Sequence, residues 1–175
     1  MISVVIIRRE AAHDIAAIAA VTTAAFGEPG GPEPVETRLL AELRAGDAWL
    51  PALSLVAVDA ADEVVGHVVC TRARIGSAAA LGLGPLSVRP DRRRQGVGQA
   101  LVHTVLGAAD ATGEPAVVLL GDPAYYARFG FRPAADRGIT PPVEAWAPYF
   151  QVRALHRWDP SLRGRFTYAE PFDHL

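Results

Sequence analysis

The chain of 175 residues contains no lysine; all 17 of its basic residues are arginine. That absence removes whole chemistries. A Walker-type phosphate loop needs its lysine, and Schiff-base or pyridoxal chemistry of the usual kind needs one as well. Cysteine is nearly missing too. A single Cys70 cannot build an internal disulfide framework, and it suits a reducing cytoplasm, the location expected here. Five histidines, His13, His67, His103, His156 and His174, are scattered without a ligand-spaced pair, so no metal site is expected. No apolar run approaches the roughly 20 residues of a membrane span. The opening "MISVVIIRRE" is apolar for a few residues with its charge after them, the reverse of a signal peptide, and reads as a first strand over Ser3–Ile7.

What is present is ordinary in bulk. Half of the residues are hydrophobic (50%) and 21% are charged, the composition of one folded domain over residues 1–175 with a proper core. A net charge of −2 gives no reason to expect nucleic acid or a membrane as partner. Residues 11–27 show helical spacing, with Ile15, Ile18, Ala19 and Thr22 on one face and Gly27 as the stop. Residues 35–46 read as a second helix, burying Val35, Leu39, Leu40 and Leu43. The period then changes. Two apolar runs around "DAADE" in 53–75 form a hairpin signature, and 79–88 is a third extended run. A helix over 95–113 buries Val97, Leu101, Val105 and Leu106; a strand follows at 115–121 and a short helix at 122–130. Residues 131–134 read as an extended return, 139–148 as a loop, and 149–155 and 165–170 as two last strands. Helices before and after a mixed sheet make the class α/β or α+β.

One stretch breaks the even charge distribution. "SVRPDRRRQGVGQAL", residues 87–101, crowds arginines and glycines at a strand-to-helix junction. A helix start carries unpaired N–H groups and partial positive charge, so it welcomes an anion. Gly96 and Gly98 clear side chains from the approach. Arg92, Arg93 and Arg94 add charge suited to phosphate. The strand before the junction, Leu86–Val88, offers backbone to an extended ligand arm. Gly-x-Gly alone is weak, and an arginine run is ordinarily a solvated surface; their coincidence at this junction points to a phosphate ligand with a long tail. A dinucleotide fingerprint is excluded because Leu101 stands where its third glycine belongs.

"RRRQGVGQALV" resembles the acyl-CoA signature of the GCN5-related N-acetyltransferases (GNAT), with Arg93, Arg94, Gln95, Gly96, Val97 and Gly98 in its places. "LGPLSVRPDRR" is similar to the strand that precedes it in that family. The resemblance implies a GNAT-like acyltransferase fold, a mixed and mostly antiparallel twisted sheet flanked by helices. It implies acetyl-CoA as co-substrate, with its diphosphate on the amides of residues 93–98 and its pantetheine arm along Leu86 and Val88. The residues it marks for the nucleotide are Leu86, Ser87, Val88, Arg93, Arg94, Gln95, Gly96, Val97, Gly98 and Gln99.

In "GDPAYYARFGF", Asp122 caps a short helix, Pro123 suits its first turn and Gly130 ends it. The segment is similar to the family's Phe-Tyr-x-x-x-Gly-Phe, which puts Tyr126 on the family's tyrosine and Tyr125 on its phenylalanine. Which of the two hydroxyls faces the thioester stays open. A phenol of pKa about 10 stays protonated at neutral pH and can donate to a departing thiolate, so Tyr126 is the expected general acid. A neutral amine would attack the thioester directly, with a backbone N–H near Val88 stabilising the oxyanion. Cys70, beside Val68 and Val69, reads as a buried strand thiol and not a nucleophile. No carboxylate stands on the strand before the signature, so Glu28, Glu33, Glu36, His67 and water all remain open as base. The loop 134–150, with Pro141, Pro142, Trp146 and Tyr149, either borders the acceptor or covers an edge. The ending "GRFTYAEPF" is similar to that of a bacterial acetyltransferase branch with no fixed substrate. The resemblance therefore implies an amine acceptor, small or on a protein, and leaves a homodimer open. The competing functions are a non-catalytic acyl-CoA sensor and a dimerisation domain with a vestigial site.

Overall fold

The computed structural model describes residues 4–175, so Ser3, where the first strand was expected to begin, lies outside the described residues. The strand itself is β1, Ile6–Arg9. Two helices follow, α1 (Ile15–Phe26) and α2 (Val35–Ala45), each ending at a glycine, Gly27 and Gly46. The hairpin is β2 (Ser54–Val58) and β3 (Val64–Ile75), and the third run is β4 (Ala78–Val88). Then come α3 (Val97–Ala111), β5 (Ala116–Leu120) and a short α4 (Pro123–Tyr126). The remaining strands are β6 (Arg132–Pro133), β7 (Ile139–Thr140), β8 (Phe150–Ala154) and β9 (Gly164–Thr167).

The strands run in the order β1-β2-β3-β4-β5-β8-β6, with β9 against β3 and β7. Among the described pairings only β4–β5 and β7–β9 are parallel. The class expected from the order of elements is the class found. Period-two alternation decides which face each side chain takes. Leu55 and Ala57 of β2 join the α3 side of the sheet, while Val56 and Val58 join Ile18, Val21 and Leu40 beneath α1 and α2. All four residues expected on the buried side of α3 are buried, and Val102 and Ala109 join them. Burying each large aliphatic side chain contributes roughly 1.5–3 kcal/mol, so α3 is clamped to the sheet. Contact there is close: a Cβ on Gly66 would stand 2.9 Å from Leu101 Cδ1 and 3.0 Å from Val97 Cγ1. The helix-face reading was less accurate at two ends, where Ile15 and Val35 are exposed and Val21 is buried instead.

Candidate active site

The site begins where two strands part. β4 pairs with β5 only at Leu81–Val117 and Gly82–Val118. β4 continues to Val88 while β5 turns off at Leu120, so the last six residues of β4 have no partner on that edge. The β3 register decides which groups face the opening. Arg89 N donates to Val65 O at 2.9 Å. Counting back in register, Ser87–His67 is also a hydrogen-bonded pair, whereas Val88–Gly66 and Leu86–Val68 are non-hydrogen-bonded pairs. The N–H and C=O groups of Leu86 and Val88 therefore point away from β3, into the opening.

The strand runs directly into the arginine junction. Arg94 and Gly96 both have left-handed backbone (φ 61° and 83°), and α3 starts at Val97 with no side chain capping it. The residues of its first turn line a cleft of about 620 Å³. Leu86, Val88, Arg93, Arg94, Gly96, Val97, Gly98 and Gln99 all line that cleft, with Arg92 beside them. Ser87 and Gln95 do not line it. The Ser87 side chain alternates to the other face, where its hydroxyl lies 3.2 Å from Thr22 Oγ1, and the Gln95 amide donates to Asp91 O at 3.1 Å. Arg93 donates to Ala25 O at 2.8 Å and ties the junction to the end of α1. Sequence reasoning missed Phe26 and Arg128 in this lining. Arg128 had a signal, lying two residues after Tyr126; Phe26 had none.

The two tyrosines divide. Tyr125 lines the arginine cleft, its hydroxyl 2.8 Å from where a Cβ on Gly98 would stand. Burial raises its pKa, with the Arg128 guanidinium working against it. Tyr126 lines a second pocket of about 380 Å³, which shares Phe26 and Leu86 with the first. Burial, with Tyr125 adding to it, pushes the Tyr126 hydroxyl up to about 12.

Of the open base candidates, only Glu36 borders this second pocket. Glu28 and Glu33 are exposed and line neither pocket. His67 is fully buried and bound elsewhere: its Nε2 lies 2.8 Å from Ser54 Oγ and 3.1 Å from Glu10. Cys70 is fully buried, which drives its thiol pKa well up, as its strand neighbours implied. Trp146 and Pro142 of the 134–150 loop border the second pocket; Pro141 and Tyr149 do not. Among the described residues no cluster of three or more His, Cys, Asp or Glu could hold a metal ion. No helix there is long and apolar enough to cross a membrane.

The chain is similar in sequence and fold to known proteins. The acetyltransferase (GNAT) domain family matches residues 51–133. The uncharacterized N-acetyltransferase YhbS of Escherichia coli strain K12 is 34% identical over 142 residues, 80% of this chain and 83% of its own length. The crystal structure of E. coli YhbS in complex with CoA has a TM-score of 0.88 at 31% identity, covering 98% of this chain and 93% of that one. A GNAT family acetyltransferase from Brucella melitensis, solved in complex with acetyl-CoA, has a TM-score of 0.79 at 35% identity, covering 98% and 99%.

Proposed function

Because the chain belongs to the GNAT acetyltransferase family, we propose that it transfers the acetyl group of acetyl-CoA to a primary amine by direct attack in a ternary complex. The carrying observation is the free β4 edge at Leu86 and Val88, which runs from an arginine-lined cleft to a pocket bordered by Tyr126. The relatives solved with CoA and acetyl-CoA support the same co-substrate here. A cytoplasmic location suits a chain whose one thiol is unpaired and buried.

In this reading the diphosphate binds the amides of residues 93–98 with Arg93 and Arg94, and the pantetheine arm pairs with Leu86 and Val88. The amine lone pair attacks the thioester carbon, forming a C–N bond and a tetrahedral oxyanion. A backbone N–H of the free edge near Val88 stabilises that oxyanion. Collapse breaks the C–S bond, and its electron pair leaves on sulfur. Tyr126 donates its proton there. Burial weakens Tyr126 as an acid, and by the same physics a sulfur leaving into that desolvated site is a stronger base than a thiolate in water. The amine's surplus proton passes to water, directly or through Glu36.

Calorimetric titration with acetyl-CoA tests the site on wild type, Gly96→Ala and Gly96→Glu. Both variants meet the same left-handed backbone, but only the second brings a carboxylate. The expected result is micromolar binding, roughly 8 kcal/mol, kept within a few-fold by alanine and lost by glutamate. Absent wild-type binding, or equal binding by all three, would sink the assignment. Consumption of acetyl-CoA with an amine separates an enzyme from a sensor that only binds it.

A further inference from the structure

The two pockets that meet at Leu86 and Phe26 are opposite in character. Arg92, Arg93, Arg94 and Arg128 line the first, with no carboxylate among its described lining residues. Glu36 and Asp173 line the second, with no cation among its described lining residues. Glu36, in the first turn of α2, has no hydrogen-bond or ion-pair partner among the described residues. Other acids of this fold are matched: Glu10 by Arg44, Glu114 by Arg72, Glu42 by His174. Rings make up much of the remaining wall. Phe26, Tyr126 and Trp146 come from three separate parts of the chain, and Tyr168 and Phe172 from a fourth, the C-terminal segment. Tyr168 and Phe172 are stacked, with centroids 4.5 Å apart and planes 28° apart.

Resting on the acetyl-transfer reading above, we propose that the acceptor is a small arylalkylamine, carried into the second pocket as its ammonium ion. Its ring packs among Trp146, Tyr168 and Phe172 and its nitrogen faces Glu36, where the ammonium gives up one proton to water, directly or through Glu36, before its lone pair attacks the thioester. The chemistry fits each wall. An unpaired carboxylate attracts the ammonium, and ring faces hold a cation as well as an aryl group. A volume of about 380 Å³ is the size of a small-molecule site. A zwitterionic amino acid would bring its own carboxylate against Glu36 and Asp173 with no cation to receive it.

The test measures CoA release with phenethylamine, tyramine and tryptamine against putrescine, butylamine, free phenylalanine and a short peptide with a free N-terminus. Acetyl-CoA binding is titrated on each protein used. Arylalkylamines should exceed butylamine in kcat/KM by at least tenfold. Glu36→Gln should raise KM for tyramine about tenfold, and Trp146→Ala should narrow the ratio of aryl to alkyl substrates, both with acetyl-CoA affinity unchanged. Preference for putrescine, phenylalanine or the peptide, or an equal rate with butylamine, would overturn the aryl acceptor and leave acetyl transfer standing. An unchanged KM in Glu36→Gln would overturn the role of Glu36. Acetyl-CoA binding without turnover of any amine would overturn both proposals.

Discussion

Tyr125 and Tyr126 are adjacent in sequence, yet their rings stand perpendicular, at 90° with centroids 4.9 Å apart, and they serve different pockets. The short helix that carries them is fixed at both ends. Asp122 accepts from Ala124 N at 2.9 Å, and Gly130 closes the turn in left-handed backbone (φ 84°). Phe129 lies against both rings. The order Tyr-Tyr is thus held as one hydroxyl toward the arginines and one toward the aromatic pocket.

Separate consequences follow for the two hydroxyls. Tyr126→Phe removes the proton donor and should lower kcat on the order of a hundredfold, with acetyl-CoA affinity unchanged. Tyr125→Phe removes only the hydroxyl over the first turn of α3, so kcat should hold while acetyl-CoA affinity changes a few-fold. Steady-state kinetics and calorimetry on both variants check the assignment. A kcat loss in Tyr125→Phe with none in Tyr126→Phe would reverse the two roles.

Acid should weaken the fold in two stages, because of one cluster between β1, α2 and the hairpin. Burial favours the protonated form of Glu10, but hydrogen bonds from His67, Arg44 and Ser54 outweigh it and hold its pKa at about 2. Its contribution to stability is therefore complete above about pH 4.5 and is lost as pH falls toward 2. His67 is shifted downward, burial outweighing Glu10. Its Nδ1 has no partner, so a proton there would be a buried, unpaired donor. The unfolded chain takes up a proton below about pH 6.5 that the folded chain refuses, so stability declines from there downward. The midpoint of thermal unfolding should be flat between about pH 7 and 8, fall below 6.5 and fall more steeply below 4.5. A midpoint unchanged from pH 7 to pH 4 would contradict this account.

The arginine junction was legible in the sequence because everything it needs is local. Strand, charge, glycines and helix follow one another from Leu86 to Gln99, and all but Ser87 and Gln95 of the residues marked there line the cleft. Those two exceptions follow from strand alternation and from a side chain turning back to Asp91. The aromatic pocket was not legible. Phe26, Glu36, Tyr126, Trp146 and Phe172 are brought together by the packing of α1, α2 and the C-terminal segment around the gap between β4 and β5. No spacing announces such a set. Glu36 stood among four base candidates, and only the fold distinguishes it from Glu28, Glu33 and His67. Most strands were readable from their alternation; β7, inside the run 139–148 read as a loop, and the parting of β4 from β5 after two residue pairs were not.

Cys70 should be silent. It lies on β3 with no exposed surface, and burial drives its thiol pKa well up, which suppresses the thiolate that reagents attack. Native protein should not react with a thiol-specific chromogen over the minutes of an assay, and unfolded protein should give one equivalent. The same reagent can then follow CoA release without background. Fast labelling of the native chain would show that β3 opens and would bring Cys70 back as a candidate nucleophile.

Gly121 should matter to turnover without touching any ligand. It sits at the end of β5, where its N–H donates to Tyr149 O and its carbonyl accepts from Gln151. A Cβ there would stand 2.5 Å from Tyr126 Cε2 and 2.9 Å from its Cδ2. Gly121→Ala must therefore push the Tyr126 ring aside or shift β5, at a stability cost of roughly 1–3 kcal/mol. Displacing a proton donor by about an ångström costs on the order of a hundredfold in rate, so kcat should drop nearly as far as in Tyr126→Phe. The arginine cleft is untouched, and acetyl-CoA affinity should stay near wild type. The double variant Gly121→Ala/Tyr126→Phe tells a displaced hydroxyl from general damage. If the alanine acts only through Tyr126, adding it to Tyr126→Phe should lower kcat little further; losses that multiply would mean that Gly121 serves the site by another route.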